Sequence, residues 1–267
     1  MSATEWVQVG ELSNGFQHHS NAPEASDALV GKSFDLHMEN GWVIRQAFTS
    51  VDSMKWEILE GASSGESNLE TCRVTSLRDG VFLVDFSKNQ EVATRGTLVL
   101  NLESGTGFCG LSTLAGKAQC QVSIYDRATQ GLPLPNASTQ VLQFGIDRPF
   151  VTASNGGFSD ILLGKKIRYR YSETEAYEHI YLNPYHYTWH CVEGVENGLA
   201  DTDHCFHLDV GDDMVLFFWH EKIIPTVGTI LIDLKARRTT GKLFGYKADD
   251  YGDTQAIPAG AKIECID

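Results

Sequence analysis

The chain is 267 residues long, 42% hydrophobic and 21% charged, with a formal net charge of −14. This composition argues against disorder beyond the ends, and the charge argues against nucleic acid or an anionic membrane surface as partner, the densest basic cluster being only Lys235 to Arg238. The length suits two domains of about 120 to 130 residues, each able to bury its own core.

The stretch from Met1 to Glu24 is polar and mixed, without the basic start and apolar core of a secretory signal, and no run reaches the roughly 18 apolar residues of a membrane span. Residues before about Ala28 read as an arm or first turn that covers a barrel end. From Leu29 onward, short apolar or alternating segments predict strands at Met54 to Leu59, Gly80 to Phe86, Thr97 to Leu102 and Gln119 to Tyr125. Gly, Asn, Asp and Ser clusters separate them at the spacing of an antiparallel meander. Gln130 to Asn136 reads as a loop and Thr139 to Phe144 as a last strand.

Gly145 to Asp160, with Asp147-Arg148-Pro149 and Asn155-Gly156-Gly157, is the linker candidate, which puts one domain over 1–150 and a second over 151–267. Strands of the second are predicted at Leu163 to Tyr171, Tyr177 to Leu182, Tyr185 to Cys191, Asp203 to Val210, Met214 to Glu221, Thr226 to Leu234, Gly241 to Tyr246 and Lys262 to Cys265. Eight strands suit a closed barrel that can hold one small ligand. The fold class is therefore all-β, two antiparallel β-barrels in tandem.

A constant offset of 133 residues relates the two halves, pairing Gly31 with Gly164, Trp56 with Trp189, Gly61 with Gly194, Gly65 with Gly198 and Cys72 with Cys205. A duplicated scaffold can carry function in one copy, so differences between the copies point to chemistry. Alternation along the opening strand turns Tyr169 and Tyr171 inward in the second copy, where the first has Phe34, Leu36 and Met38. Equivalent positions of Cys72 and Cys205 suggest buried thiols rather than disulfide partners, and the expected location is the cytoplasm. Asn136-Ala137-Ser138 would be a glycosylation acceptor only in a secreted chain.

Six of the nine histidines, His179, His186, His190, His204, His207 and His220, fall in the second copy. The densest polar and aromatic string is Phe217-Phe218-Trp219-His220-Glu221-Lys222. A strand-borne Glu221 flanked by Trp219 and Phe217 on its own face would be partly desolvated, which raises its pKa and suits proton transfer near neutrality. The alternative is an exposed Glu221 paired with Lys222 or Lys242. The expected catalytic set is Glu221 with Tyr169, Tyr171 and His220, and the expected substrate-binding set is Tyr177, Tyr187, Trp189, His190, His207, Phe217 and Trp219. Those rings either line an open pocket or fill the barrel.

His186 and His190 share a strand face, as do Cys205 and His207, so a three-ligand metal site is conceivable, yet no recognised ligand spacing is present and no metal is expected. The chain lacks a nucleotide-binding glycine motif, a P-loop and a nucleophile elbow, so no cofactor is expected. A small-molecule ligand or substrate is the expected partner, and a homodimer is compatible with the sequence.

The strings Ile167-Arg168-Tyr169-Arg170-Tyr171, Tyr177-Glu178-His179-Ile180-Tyr181, Tyr187-Thr188-Trp189-His190-Cys191 and Gly198-Leu199-Ala200-Asp201 resemble the C-terminal domain of the MoaF family. Trp219-His220-Glu221-Lys222-Ile223-Ile224-Pro225 and Thr240-Gly241-Lys242-Leu243-Phe244-Gly245 extend the likeness, and Leu29-Val30-Gly31-Lys32 carries it into the first half. The resemblance implies a tandem of lipocalin-like (calycin) barrels and an association with molybdenum cofactor biosynthesis. More distantly, Tyr169 with Tyr171 and Trp219 with Glu221 are similar to the Tyr-x-Tyr and Trp-x-Glu of the phenolic acid decarboxylases, which work without a cofactor. That likeness implies tyrosines orienting a substrate carboxylate and a glutamate moving a proton. Thr188 or Trp189 stands where that family has an arginine, so hydroxycinnamate decarboxylation is not implied.

Three functions are compatible with these residues. The first is a cofactor-independent lyase, isomerase or cyclase acting on a small, mostly apolar oxygenated substrate in the second barrel, with a first barrel that is structural. The second is a non-catalytic small-molecule binder, and the third an accessory protein of the MoaF type.

Overall fold

The computed structural model describes residues 5–152 and 157–267. A helix, α1 (Val9–Gln17), precedes eight strands: β1 (Ser33–Met38), β2 (Val43–Ser50), β3 (Ser53–Glu60), β4 (Ser67–Arg78), β5 (Val81–Ser87), β6 (Thr94–Asn101), β7 (Thr106–Leu114) and β8 (Ala137–Ile146). They close into a barrel in sequence order, β1 pairing back onto β8 with Leu36 opposite Ile146. Two short helices, α2 (Lys117–Cys120) and α3 (Ile124–Thr129), lie between β7 and β8.

The second barrel follows as β9 (Lys166–Arg170), β10 (Ala176–Asn183), β11 (His186–Glu193), β12 (Ala200–Gly211), β13 (Met214–His220), β14 (Thr226–Asp233), β15 (Arg238–Tyr246), β16 (Thr254–Pro258) and β17 (Lys262–Ile266). It runs from β14 back through β9 to β17 and β15, and the β14–β15 pairing closes the ring, leaving β16 as an added strand on β15. Among the described residues no helix is long and apolar enough to cross a membrane.

Period-two alternation explains which side chains enter the barrels. In β9, Ile167 and Tyr169 are buried while Lys166, Arg168 and Arg170 are part exposed, as a strand with one wet face requires. The duplication is written into the backbone as well. Gly31 and Gly164 have φ of 77° and 78°, Gly61 and Gly194 135° and 139°, and Gly65 and Gly198 93° and 90°, in the region open to glycine.

Side-chain pairs repeat with it. Trp56 Nε1 donates to Glu70 Oε1 at 3.3 Å in the first barrel, and Trp189 Nε1 donates to Asp203 Oδ2 at 2.9 Å in the second. The Asp35–Arg45 ion pair across β1 and β2 returns across β9 and β10 with its charges exchanged, as Glu178–Arg168. Cys72 and Cys205 are buried free thiols, and burial pushes them up to about 11 and about 12.

Three sequence expectations change. Gln119 to Tyr125 is not a strand: Ser123 caps α3 by accepting from the Asp126 amide at 3.0 Å, and without a partner strand the alternation there has nothing to pair with. β16, which ends on Pro258, was not anticipated. The compact units are also discontinuous, because Met1–Ala22 and Thr113–Ser138 pack with Phe158–Asp267 while Pro23–Ser112 and Thr139–Gly157 form the other unit. A single cut at 150/151 misses this, since a helix docks by its apolar face irrespective of chain order. Asn155 and Gly156 of the linker candidate lie outside the described residues.

Candidate functional site

Glu221 directly follows β13, and the backbone groups of Glu221 and Lys222 are held. Its amide donates to Thr226 O at 3.1 Å and its carbonyl accepts from Asn136 N at 3.2 Å. The Lys222 amide donates to Asp203 Oδ1 at 3.1 Å, and the Lys222 carbonyl accepts from Arg127 Nη2 at 2.9 Å and Asn136 Nδ2 at 3.0 Å. Asn136 of the acceptor-like triplet is thus buried and fully engaged. Lys222 does not neutralise Glu221; its ammonium goes to Asp201 and Thr202 O.

The Glu221 carboxylate turns inward with Trp219, whose Nε1 donates to Oε1 at 3.2 Å. Burial first, then the charges of Asp203 and Glu196, push its pKa well above the ordinary carboxylate range. It lines a cavity of about 30 Å³, room for one or two waters. Tyr171, Tyr177, Tyr187, Trp189 and Trp219 form its walls together with His179 and Glu196. The hydroxyls of Tyr171 and Tyr187 have no protein partner among the described residues, although both side chains are buried.

Sequence reasoning missed two of these groups, Glu196 and His179, and a third beside them, Glu175. Glu196, on the loop after β11, accepts from Tyr177 Oη at 3.1 Å and is pushed up to about 7 by burial. Glu175, at the turn before β10, accepts from Val195 N at 3.1 Å while its Oε2 is buried without a partner, and burial again lifts it to about 7. His179 is enclosed by aromatic rings, and burial lowers it to about 3. The 133-residue offset was the available signal: it sets Glu196 against Ser63, Glu175 against Trp42, His179 against Gln46 and Tyr187 against Met54.

The cavity is small because α1 closes it. Leu12 and Phe16 line it, and the Phe16 ring lies 4.9 Å from Tyr171 and 5.9 Å from Tyr177. A Cβ on Gly15 would stand 2.1 Å from Glu175 Oε1, and one on Gly10 2.2 Å from the Lys247 carbonyl, so both glycines are needed for so close an approach. The helix has nine residues and no side-chain N-cap bond. A helix so short is marginal in water, and each glycine costs it about 0.5–1 kcal/mol relative to alanine. Docking holds it through buried Val9, Leu12 and Phe16, each contributing about 1.5–3 kcal/mol. The expectation of an N-terminal arm over a barrel end is met in form, on the second barrel.

The remaining candidate residues lie apart from the cavity. Tyr169 is behind the wall, its hydroxyl 2.7 Å from that of Tyr181. Phe217 and His207 pack deeper, with ring centroids 5.1 Å apart. His190 and His220 follow wall residues directly and therefore point to the opposite face. His190 meets Glu178 at 3.7 Å, and His220 stacks on His204. Neither can assist Glu221 directly. The same alternation separates His186 and His190 from Cys205 and His207, so they build no shared metal site. Among the described residues the one group with metal-ligand spacing is His18, His19 and Glu173, all exposed.

Trp219 lies over Gly228 of β14, where an added Cβ would meet the indole at 1.9 Å, and Phe86 lies over Gly96 in the same way in the first barrel. Gly228→Ala is expected to force the indole off Glu221 and to cost about 1–3 kcal/mol through overpacking. Thermal unfolding with tryptophan fluorescence checks this: Gly96→Ala should destabilise without changing the fluorescence of the site, and equal spectral change in both variants would contradict the assignment.

Residues 4–116 match the family model of the MoaF N-terminal domain and residues 157–267 that of the MoaF C-terminal domain. Protein MoaF of Klebsiella aerogenes is 32% identical over 272 residues, spanning 99% of this chain and 97% of that protein. Among solved structures, a Burkholderia vietnamiensis protein provisionally described as a beta-lactamase aligns with a TM-score of 0.33 and 11% identity over 45% of this chain and 93% of its own. That likeness is too low to argue from.

Proposed function

The chain belongs to the MoaF family, and from that premise and the geometry of the second barrel we propose that this barrel binds a small molecule and moves a proton on it through Glu221. The comparison between the two barrels carries the reading. At the positions equivalent to Tyr171, Tyr187 and Glu196 the first barrel uses Met38, Met54 and Ser63, so the fold is made without these groups that the second places around its cavity. Burying Glu175 and Glu196, with Glu175 Oε2 left unpartnered, costs stability. Groups kept at such a cost, with pKa values moved toward neutrality, are the mark of a functional site. The reaction class is cofactor-independent acid/base chemistry of the lyase, isomerase or cyclase type, on a molecule admitted when α1 moves.

Incubation of the protein with a small-molecule extract in deuterated water tests this. Proton transfer at carbon puts deuterium into the product or the recovered substrate, read by mass spectrometry. A molecule that is retained and recovered without deuterium identifies a carrier. What supports that second reading is the cover formed by Leu12 and Phe16 of α1, which would shield a held molecule from solvent.

A further inference from the structure

We propose that the ligand of the second barrel is a small organic cation, an amine or quaternary ammonium, bound by the aromatic walls and the carboxylates of Glu196 and Glu221; this rests on reading that barrel as a ligand site. Three observations converge on it. The walls are aromatic and packed on one another: the Tyr171 and Tyr177 ring centroids are 5.9 Å apart, Tyr177 and Trp189 6.2 Å, and Tyr187 and Trp219 5.8 Å. Aromatic rings lining one cavity recognise an ammonium group brought within about 6 Å of their centroids. No lysine or arginine lines the cavity, whereas two carboxyl groups do, so a carboxylate or phosphate ligand would find no counter-charge.

The third observation is the sister barrel. There Trp56 and Glu70 occupy the places of Trp189 and Asp203, and the protein supplies its own ammonium, with Lys88 Nζ 5.5 Å from the Trp56 ring centroid. The residue equivalent to Lys88 is Glu221. The second copy has kept the tryptophan and its carboxylate, pairs that carboxylate with Lys222 and places an acid where the first has Lys88. An arriving ammonium would meet an acid where the first barrel has its own lysine, and the net charge of −14 draws cations toward the protein. Phe16 of α1 now fills the space between Tyr171 and Tyr177, so the ligand displaces that ring.

Around Glu196 and Glu221 the titratable neighbours are Glu175, Asp203, Tyr177 and Tyr187, with His179 in the wall and Lys222 already paired with Asp201 and Asp203. A cation favours the ionised carboxylates, so its affinity rises with pH through about 7, where Glu196 titrates, and protons are released on binding.

The test compares choline, its uncharged isostere 3,3-dimethylbutan-1-ol and the anion 3,3-dimethylbutanoate by calorimetry at pH 5.5 and 8. It uses the full-length protein and the Gly15→Ala variant, whose added Cβ loosens α1. Choline is expected to bind at least about tenfold tighter than the alcohol at pH 8, with the gap narrowing at pH 5.5. Gly15→Ala should tighten it further by raising the open fraction. Hydrogen exchange at residues 9–17 reports the loosening, and Asn14→Pro, which breaks the helix at an exposed position, serves if Gly15→Ala does not fold. Equal or tighter binding of the alcohol or the anion overturns the cation inference and leaves the pocket reading standing. Binding of none of the three by a protein whose α1 is shown to be loosened overturns both.

Discussion

Glu221→Gln is expected to lower turnover by roughly 100- to 10,000-fold, the usual cost of losing a general acid/base, without loss of fold. Burial and the charges of Asp203 and Glu196 raise the pKa of the wild-type carboxyl, and the amide replaces it with a group of the same shape. Its oxygen can still accept from Trp219 Nε1, now at 3.2 Å from Glu221. Only the exchangeable proton is lost. The measurement is the rate of deuterium incorporation into the molecule found in the extract experiment, taken with the melting temperature of the variant. Full turnover in a folded Glu221→Gln protein would remove Glu221 from the chemistry. A melting temperature lowered by many degrees would make the residue structural instead. Glu221→Ala separates the two contributions further, because it also abandons the hydrogen bond inside a packed wall.

The second large effect concerns pH. Glu175 and Glu196 are lifted from 4.5 to about 7 by burial, so the folded state keeps protons that the unfolded state has released. Their contribution to stability therefore falls as pH rises from about 4.5 to about 7, by roughly 3 kcal/mol each over the full window. His179 is lowered from 6.5 to about 3, and His207 and His220 to about 4, again by burial. For these the unfolded state takes up protons first, so stability falls as pH drops below about 6.5. Glu221 and Asp203, both raised, join the first group, and His204, lowered, joins the second.

Between about 4.5 and 6.5 the two sets oppose each other, and unfolding free energy should be nearly flat. It should fall on the alkaline side as the carboxyls are forced to ionise. On the acid side the histidines continue their loss, and Glu178, whose pKa Arg168 holds down, adds to it. Urea titrations at half-unit steps from pH 4 to 8 test this. Glu196→Gln deletes one falling contribution and should tilt the plateau upward by about 1.4 kcal/mol per pH unit. A Glu196→Gln profile parallel to the wild type would show that Glu196 is not held protonated.

Much of this molecule is legible in the order of its residues. Strand alternation and the 133-residue repeat, carried by Gly31/Gly164, Gly61/Gly194, Trp56/Trp189 and Cys72/Cys205, predict two all-β barrels, because backbone sterics and period-two burial are local properties. The same logic turns Tyr171, Trp219 and Glu221 inward, and alternation alone would have turned His190 and His220 outward. It could not say that Tyr169 sits behind the wall, since two residues on one face of a strand differ only in depth, which is set by the rings across the barrel. Nor could it raise Glu175 and Glu196 into view, for they lie on turns, where no periodicity directs a side chain. The small volume of the cavity is purely tertiary: it depends on Leu12 and Phe16 of a nine-residue helix more than 150 residues from Tyr171. Chain order determined which groups face the inside of each barrel. Packing between distant segments decided which of those groups meet, how deeply they are buried, and so at what pH they hold their protons.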